Sequence, residues 1–321
     1  MSRFLGIDIG GTKCAVCVGD DNAQVLGRRE LLTSRQPEET LGALEGFARE
    51  LLRETGPVDA IGIACGSPQD AARGLILAPP NLPGWDAVPV VGFFRRQLGV
   101  PAFLENDANA GALAEWRHGA GRGSRNMVFC TMGTGFGCGL IMDGRLFAGT
   151  NGNAGELGHV RLTRGGPVGH GKAGSVEGYC GGGGIAWLAR LRLHEHLAAG
   201  GASVLDNGGA LSAKQVATAA KSGDELACRV YTEVGEKLGR ALALGIDLLN
   251  PERIVIGSIF ARDEALIRPS MELVLREECL PAALEVCTIV PAELGERIGD
   301  VAALVVAQTG METTRKNKLP P

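Results

Sequence analysis

The sequence predicts an α/β protein made of two halves of one design. Three observations carry this. Apolar runs of strand length alternate with longer segments of helical spacing. A strand–glycine corner–strand meander near the N-terminus recurs after a Gly/Arg-rich stretch further along. The chain has 321 residues, 45% of them hydrophobic, which is enough for two cores.

The first half opens with a short apolar strand, Phe4 to Ile9, that contains Asp8. Gly10-Gly11-Thr12-Lys13 reads as a tight turn, and Cys14 to Gly19 as the returning strand. After Asp20-Asp21-Asn22 a third strand, Ala23 to Leu31, completes the meander. Gly10-Gly11 suits an ordinary hairpin turn. It also suits a phosphate cradle, because glycines let backbone N–H groups converge on an anion, while Thr12 adds a hydroxyl and Lys13 a charge. No helix follows, so this is not the GxxxxGK[ST] loop. Glu38 to Thr55 has helical spacing, with Leu41, Leu44, Phe47, Leu51 and Leu52 on one side. Asp59 to Cys65 is a buried strand broken by Gly66-Ser67-Pro68. Pro79 to Trp85 is too rich in proline for regular structure, and Asn81 within it is either a turn residue or an amide offered to a polar ligand.

Val90 to Leu98 reads as a helix and Val100 to Leu104 as a strand; Ala108 to Trp116 is an Ala-rich helix. Asp107 stands where that strand gives way to that helix. A carboxylate there either caps the helix or acts as a general base toward a substrate hydroxyl. The alternation places a site at the strand C-terminal ends.

Gly119 to Arg125 marks the boundary, giving a small N-terminal domain over residues 1–118 and a larger one over 119–297. The last helix, 298–321, completes the small domain. The second meander runs Asn126 to Met132, Gly133-Thr134-Gly135, Phe136 to Met142 and Arg145 to Phe147. Two such corners, one per half, suit a polyphosphate ligand. Glu156 and His159 follow amid small residues, which suggests polar groups aimed at a ligand. Arg164 to Gly184 is Gly-rich and irregular, in the manner of a lid or binding loop, and contains His170, Glu177 and Cys180. Helices are expected over Ala186–Ala198, Ser212–Lys221 and Glu225–Leu249, with Ser212 and Asp224 as N-caps. A strand, Arg253 to Ile256, ends at Gly257-Ser258. A helix (about Arg262 to Glu278), a strand (Glu285 to Val290) and a helix (about Ile298 to Thr309) close the pattern, and a polar, frayed tail is expected from Met311 to Pro321.

Composition excludes several classes. Aromatics are 4% and the formal net charge is −4, with no basic stripe, so nucleic acid is not an expected partner. The nine cysteines are an odd count scattered through apolar runs, as expected of reduced thiols in a cytoplasmic protein. Cys14 and Cys17 have redox-like spacing but fall within a strand, where positions three apart face opposite ways. No run reaches the ~18 apolar residues of a membrane span, so no membrane association is expected. The N-terminus leads directly into a strand, so no signal peptide is expected. The 49 glycines cluster in turns between apolar runs, which points to close backbone approaches to a ligand.

Taken together, Asp8-Ile-Gly-Gly-Thr12, Pro79-Pro-Asn81-Leu-Pro-Gly-Trp85, Glu105-Asn-Asp-Ala-Asn-Ala110, Gly133-Thr-Gly-Phe-Gly137, Gly155-Glu-Leu-Gly-His159, Glu177 and Ile256-Gly-Ser258 resemble the ROK family of sugar kinases. The resemblance runs over about residues 4 to 309. It implies two actin/hexokinase-like (ribonuclease H-like) α/β domains flanking an interdomain cleft that holds ATP, Mg²⁺ and a hexose. It assigns Gly10, Gly11, Thr12 and Lys13, with Gly133, Thr134 and Gly135, to the phosphates and Gly257 to the adenosine. Asp8 falls near the magnesium, through water. Asn81, Asn106, Glu156, His159 and Glu177 match sugar-binding positions, and Asp107 matches the catalytic base. A homodimer is implied as well.

One departure stands out. Many members carry a structural zinc on a His and three Cys in a CxCGxxGCxE pattern. Here Val168, His170 and Ser175 stand where the cysteines would be, and only His159 is retained. With His170 this gives two ligands, short of a closed tetrahedral site, so no structural zinc is expected; Cys180 is the one further candidate. The activity implied is an ATP-dependent hexokinase acting on the 6-hydroxyl. Glucose comes first, with fructose, mannose and N-acetylhexosamines (N-acetylmannosamine, N-acetylglucosamine) as alternatives. A sugar-responsive regulator would carry a helix-turn-helix ahead of the body; with the first strand expected from residue 4, none is expected here. A non-catalytic sugar sensor is the remaining alternative of another class.

Overall fold

The computed structural model describes residues 2–316. The chain up to Arg122, the segment Leu146–Ala154 and the chain from Glu296 onward make one compact unit; Gly123–Arg145 and Gly155–Gly295 make the other.

In the first unit β1 (Arg3–Ile9), β2 (Lys13–Asp20) and β3 (Val25–Leu32) form an antiparallel meander. β4 (Ala60–Cys65) pairs parallel to β1. A two-stranded ribbon of β5 (Gln69–Asp70) and β6 (Leu75–Ile76) follows it. β7 (Ala102–Asn106) pairs parallel to β4, giving the order β3-β2-β1-β4-β7. Burial follows position in the sheet. Every residue of central β4 is buried, while β3 at the edge alternates between half-buried and exposed. A parallel strand covered on both faces must be apolar throughout, whereas an edge strand of an antiparallel pair need not be.

Helix α1 (Pro37–Thr55) starts on a proline, carries Glu38 and Glu39 in its first turn, and buries Leu41, Leu44, Ala48 and Leu51. α2 (Val90–Leu98) ends on left-handed Gly99, and α3 (Asp107–His118) follows β7 directly. The C-terminal helix, Ile298–Lys316, packs on β1, β4 and α3, and Glu312 accepts from Nη1 and Nη2 of Arg117 at 3.0 and 2.7 Å. It runs beyond the Thr309 expected from sequence, so the stretch from Met311 to Lys316, expected to be frayed, is helical; the rest of that expected tail lies outside the described residues. The proline-rich loop is irregular, as expected, but it is anchored. Trp85 is fully buried in the core with Leu5, Ile63 and Phe94, and its indole N–H donates to Ser34 O at 3.0 Å.

The second unit repeats the sheet. β8 (Met127–Met132) and β9 (Phe136–Met142) pair antiparallel, and β10 (Arg145–Leu146) forms the edge. β11 (Val168–Gly169) and β12 (Lys172–Ala173) make a separate small hairpin. β13 (Arg253–Ile256) pairs parallel to β8, and β14 (Thr288–Pro291) parallel to β13. The order β10-β9-β8-β13-β14 matches the first sheet strand for strand.

Its helices are α4 (Val176–Cys180), α5 (Gly182–Ala198), α6 (Ala213–Lys221), α7 (Glu225–Leu249), α8 (Ile259–Glu278) and α9 (Pro281–Glu285). Ser212 caps α6 in a reciprocal box with Gln215, and Asp224 caps α7 by accepting from Ala227 N. Three sequence readings are corrected here. α8 starts at Ile259 rather than near Arg262, and bends at Asp263, whose carboxylate takes Lys221 Nζ at 2.6 Å and Tyr231 OH at 3.3 Å. α9 was unforeseen; Pro281 starts it at the first helical position, where a missing N–H costs nothing, and it moves the following strand to Thr288. The stretch read as irregular between Arg164 and Gly184 holds β11, β12 and α4.

Candidate active site

In the first unit the site grows from the junction of β7 and α3. The helix cap is Asn106. Its Oδ1 accepts from Ala108 N at 2.9 Å and Asn109 N at 3.2 Å, and its Nδ2 donates to Ser67 Oγ at 2.7 Å. Asp107 is the first helical residue, so the reading of Asp107 as the cap is corrected: Asn106 does that work. Asp107 Oδ1 still accepts from Ala108 N at 2.8 Å. Its Oδ2 has no hydrogen-bond partner among the described residues. That oxygen and both polar atoms of the Asn81 amide converge on Gly66, lying 3.7 to 3.8 Å from where a Cβ on that glycine would stand. Asp107 keeps access to solvent, yet the crowding of protein around it raises its carboxyl above the usual 3.8, against the lowering effect of the helix amides.

Asp8, at the end of β1, is only partly buried, but it accepts no hydrogen bond among the described residues. Desolvation first, then the charges of Asp107 and Asp300, push its carboxyl up to about 6; Arg28 and Lys13 pull the other way. Gly299, in the first turn of the C-terminal helix, makes room for it, since a Cβ there would stand 2.5 Å from Asp8 Oδ2. Arg28 reaches Asp300 at 2.8 and 3.1 Å and Glu30 at 2.8 Å, and Lys13 reaches Glu30 at 3.2 Å. Sequence reasoning missed Arg28, Gly299 and Asp300. Nothing local marks Arg28, whose role depends on a residue 272 positions away.

The first corner is tight. Gly10 N donates to Lys13 O at 3.2 Å, and Gly10 O accepts from Thr33 Oγ1 at 2.6 Å. The amides of Gly11 and Thr12 have no acceptor among the described residues, and both residues are exposed. Gly11 is packed against the proline-rich loop: a Cβ would overlap Asn81 O and lie 2.9 Å from Asn81 Cβ. Glycine here is thus required by the loop that carries Asn81.

In the second unit the corresponding corner is closed by Gly133 N donating to Gly135 O at 3.0 Å, again leaving the amides of Thr134 and Gly135 without acceptors among the described residues. Two groups brace it, one from the first turn of α4 and one from the first residue of α5. Glu177 Oε2 accepts from Phe136 N at 3.0 Å, and Gly182 N donates to Gly133 O at 2.9 Å. Gly257 N is tied to Cys130 O at 2.8 Å. The turn holding Glu156 and His159 is a single 3₁₀ segment, Leu157–His159, seated on β9 through Gly158, where a Cβ would overlap Phe136 O. Glu156 and His159 are both exposed on it. The structure therefore joins Glu177 to Gly135, and Asn81 to Gly11 and Asp107.

The loop in the place of the zinc pattern is held by hydrogen bonds. Ser175, fully buried, caps α4 by accepting from Gly178 N at 3.1 Å. Lys172 Nζ donates to His159 O at 2.8 Å, and Gly174 N to Pro167 O at 2.8 Å. The rings of His159 and His170 lie edge to face at 6.2 Å between centroids. Cys180 is buried, and among the described residues no group of three His, Cys, Asp or Glu is placed to hold a metal. The donor set does not fit a structural zinc.

A model of the ROK family matches residues 4–309. The chain is 32% identical to a glucokinase of Halalkalibacterium halodurans over 275 residues, 83% of each chain. Among solved structures, a ROK family transcriptional regulator homologous to the E. coli MLC protein matches with a TM-score of 0.84 at 26% identity, over 95% of this chain and 77% of that one. A ROK family glucokinase from Streptomyces griseus, in complex with glucose and AMPPNP, matches with a TM-score of 0.78 at 29% identity, over 96% of this chain and all of that one, 100%. No helix among the described residues is long and apolar enough to cross a membrane. With both five-stranded sheets and every candidate site residue inside the matched span, the chain belongs to the ROK family.

Proposed function

We propose that this protein is a sugar kinase that transfers the γ-phosphoryl group of ATP to the 6-hydroxyl of a hexose, glucose first among them. The observation that carries the reading is the divided Asp107 carboxylate. One oxygen is held by the start of α3, and the other is unbonded and set beside the Asn81 amide. A base held at one oxygen and free at the other is oriented without being neutralised. Its raised carboxyl brings it nearer the pH at which it can take a proton and still be ionised.

The hexose oxygen bonds to the γ-phosphorus, the bond from that phosphorus to the β,γ-bridging oxygen breaks, ADP leaves, and the hydroxyl proton passes to Asp107. Asn81 and Asn106, with Glu156, His159 and Glu177 in the other unit, are the groups assigned to the sugar. Asn106 is already committed to the cap and to Ser67, so it orients Asp107 and offers the sugar only its remaining amide hydrogen. The free amides of Gly11 and Thr12, and of Thr134 and Gly135, are donors for phosphate oxygens, with Lys13 adding charge and Gly257 meeting the adenosine.

Asp8 fits a divalent cation: an unbonded carboxylate pushed up by burial first and then by two neighbouring acids is what such a cation would relieve. Asp8, through water, would hold Mg²⁺, which when bound neutralises phosphate charge. What supports ATP as donor is the AMPPNP in the S. griseus relative. A homodimer and a cytoplasmic location complete the reading.

The MLC-like regulator gives a second reading, a sugar sensor without turnover. A coupled assay of ADP release over glucose, fructose, mannose, N-acetylmannosamine and N-acetylglucosamine separates them, with the product's phosphorus position read by NMR. Hexose-dependent ADP release and a 6-phosphate are expected; sugar binding without ADP release from any of the five would establish the sensor instead.

A further inference from the structure

We infer that Glu177 is a positioning residue through which sugar and nucleotide bind cooperatively, one carboxylate oxygen clamping the Gly133–Gly135 corner and the other left for a sugar hydroxyl. The inference rests on the kinase reading above and adds to it a coupling between its two substrates.

Glu177 Oε2 accepts from Phe136 N, the first amide of β9, at 3.0 Å. It also stands 2.5 Å from where a Cβ on Gly135 would be, so the corner and the carboxylate are in direct packing contact. The next amides back, Gly135 N and Thr134 N, are the unbonded ones assigned to phosphate. Glu177 Oε1 has no partner among the described residues, and the side chain is partly exposed. Its backbone is fixed: Ser175, two residues earlier, caps α4, and Gly182 N, at the start of α5, is tied to Gly133 O.

A negative carboxylate beside amides meant for phosphate opposes the phosphate. Without sugar, Glu177 holds the corner in shape but repels the nucleotide. A sugar hydroxyl donating to Oε1 disperses part of that charge and, by fixing the carboxylate in place, steadies the clamp on Phe136 N. Sugar then favours nucleotide, and by linkage nucleotide favours sugar to the same degree. For a kinase this order of preference limits ATP occupancy when no acceptor is present.

The test is calorimetric titration of the whole protein with AMPPNP, with and without the saturating hexose selected by the sugar panel. Wild type should bind AMPPNP about tenfold more tightly with sugar, within the usual span of such couplings. In Glu177→Gln the charge is gone but the amide oxygen can still accept from Phe136 N. AMPPNP alone should bind it at least as tightly as wild type, and the sugar effect should fall to within about twofold of none. Gly135→Ala keeps Glu177 but displaces its carboxylate, and should lose the coupling as well. Hydrogen exchange at the Phe136 amide in wild type supplies a readout independent of any variant, and hexose alone should slow it.

A wild type with no coupling, a tenfold effect persisting in Glu177→Gln, or Phe136 exchange indifferent to sugar would each overturn the inference while leaving the kinase reading standing. A wild type that binds neither AMPPNP nor any hexose would instead remove the kinase reading, and this inference with it.

Discussion

The two glycine corners occupy the same place in two sheets of the same strand order, yet they are backed differently. At the Gly10–Lys13 corner Gly11 abuts backbone, Asn81 O, and the Thr33 hydroxyl holds Gly10 O. At the Gly133–Gly135 corner Gly182 N ties Gly133 O, but Gly135 abuts a side chain, the Glu177 carboxylate. A backbone neighbour cannot step aside without moving the loop that Trp85 anchors, whereas a carboxylate can rotate. The comparison teaches that repeated topology sets where an anion-binding corner lies, while its backing decides whether it is a fixed platform or a responsive one.

The largest effect is expected from breaking the rigid corner. Gly11→Val drives a branched side chain into Asn81 and should destabilise the first unit by about 3 kcal/mol, at the upper end for overpacking. It should raise the KM for hexose together with that for ATP, because Asn81 moves with the loop. A change in ATP KM alone would show that the corner is not coupled to Asn81. Gly135→Ala meets only the end of a side chain and should cost well under half as much on the same scale. Equal losses of melting temperature would erase the distinction.

Next is Asp8. Its folded carboxyl sits at about 6 against an ordinary 3.8, so the native state binds the proton more tightly than the unfolded chain does. Ionising it therefore costs native stability as pH rises through that interval, and the cost is full above about 6 and absent below about 4. Asp8→Asn should stabilise the protein at pH 7.5 by as much as about 3 kcal/mol while lowering turnover. The gain should vanish near pH 4. A destabilised variant at pH 7.5 would mean that Asp8 has a partner in the folded state.

Ser175→Ala is a smaller perturbation and sharpens the account of the second corner. Loss of the α4 cap should cost about 1 kcal/mol. Because Glu177 rides on that helix, hexose KM should rise more than ATP KM. An unaltered hexose KM would detach α4 from sugar binding. Smallest of all is the effect of metal removal: dialysis against a zinc chelator should leave the melting temperature unchanged, since Ser175, Lys172 and Gly174 already hold the loop. One zinc per chain by elemental analysis would contradict this.

Much of the fold was legible in the sequence because its signals are local. The apolar run of β4, the periodicity of α1 and the caps at Ser212 and Asp224 each lie within a few residues of what they specify. The short helix at Pro281 was hidden because five residues carry no period. The site was legible as a set of residues but not as a division of labour. Asn106 and Asp107 are both good cap residues, and only the backbone angles tell which one precedes the helix. Gly11 reads as a turn glycine, yet the contact that demands it comes from residue 81, far along the chain. Arg28 and Asp300 meet only because the C-terminal helix returns to the first sheet. The last two concern contacts between segments that sequence order keeps apart.

The most direct test of the central claim is Asp107→Asn, measured both as kcat in the coupled assay and as hexose affinity by calorimetry. The amide keeps the shape and the bond from Ala108 N but cannot take a proton. Turnover should fall about 10³-fold while the hexose Kd stays within about threefold of wild type. If the variant instead retained more than about a tenth of wild-type kcat, a general base at this position would be contradicted.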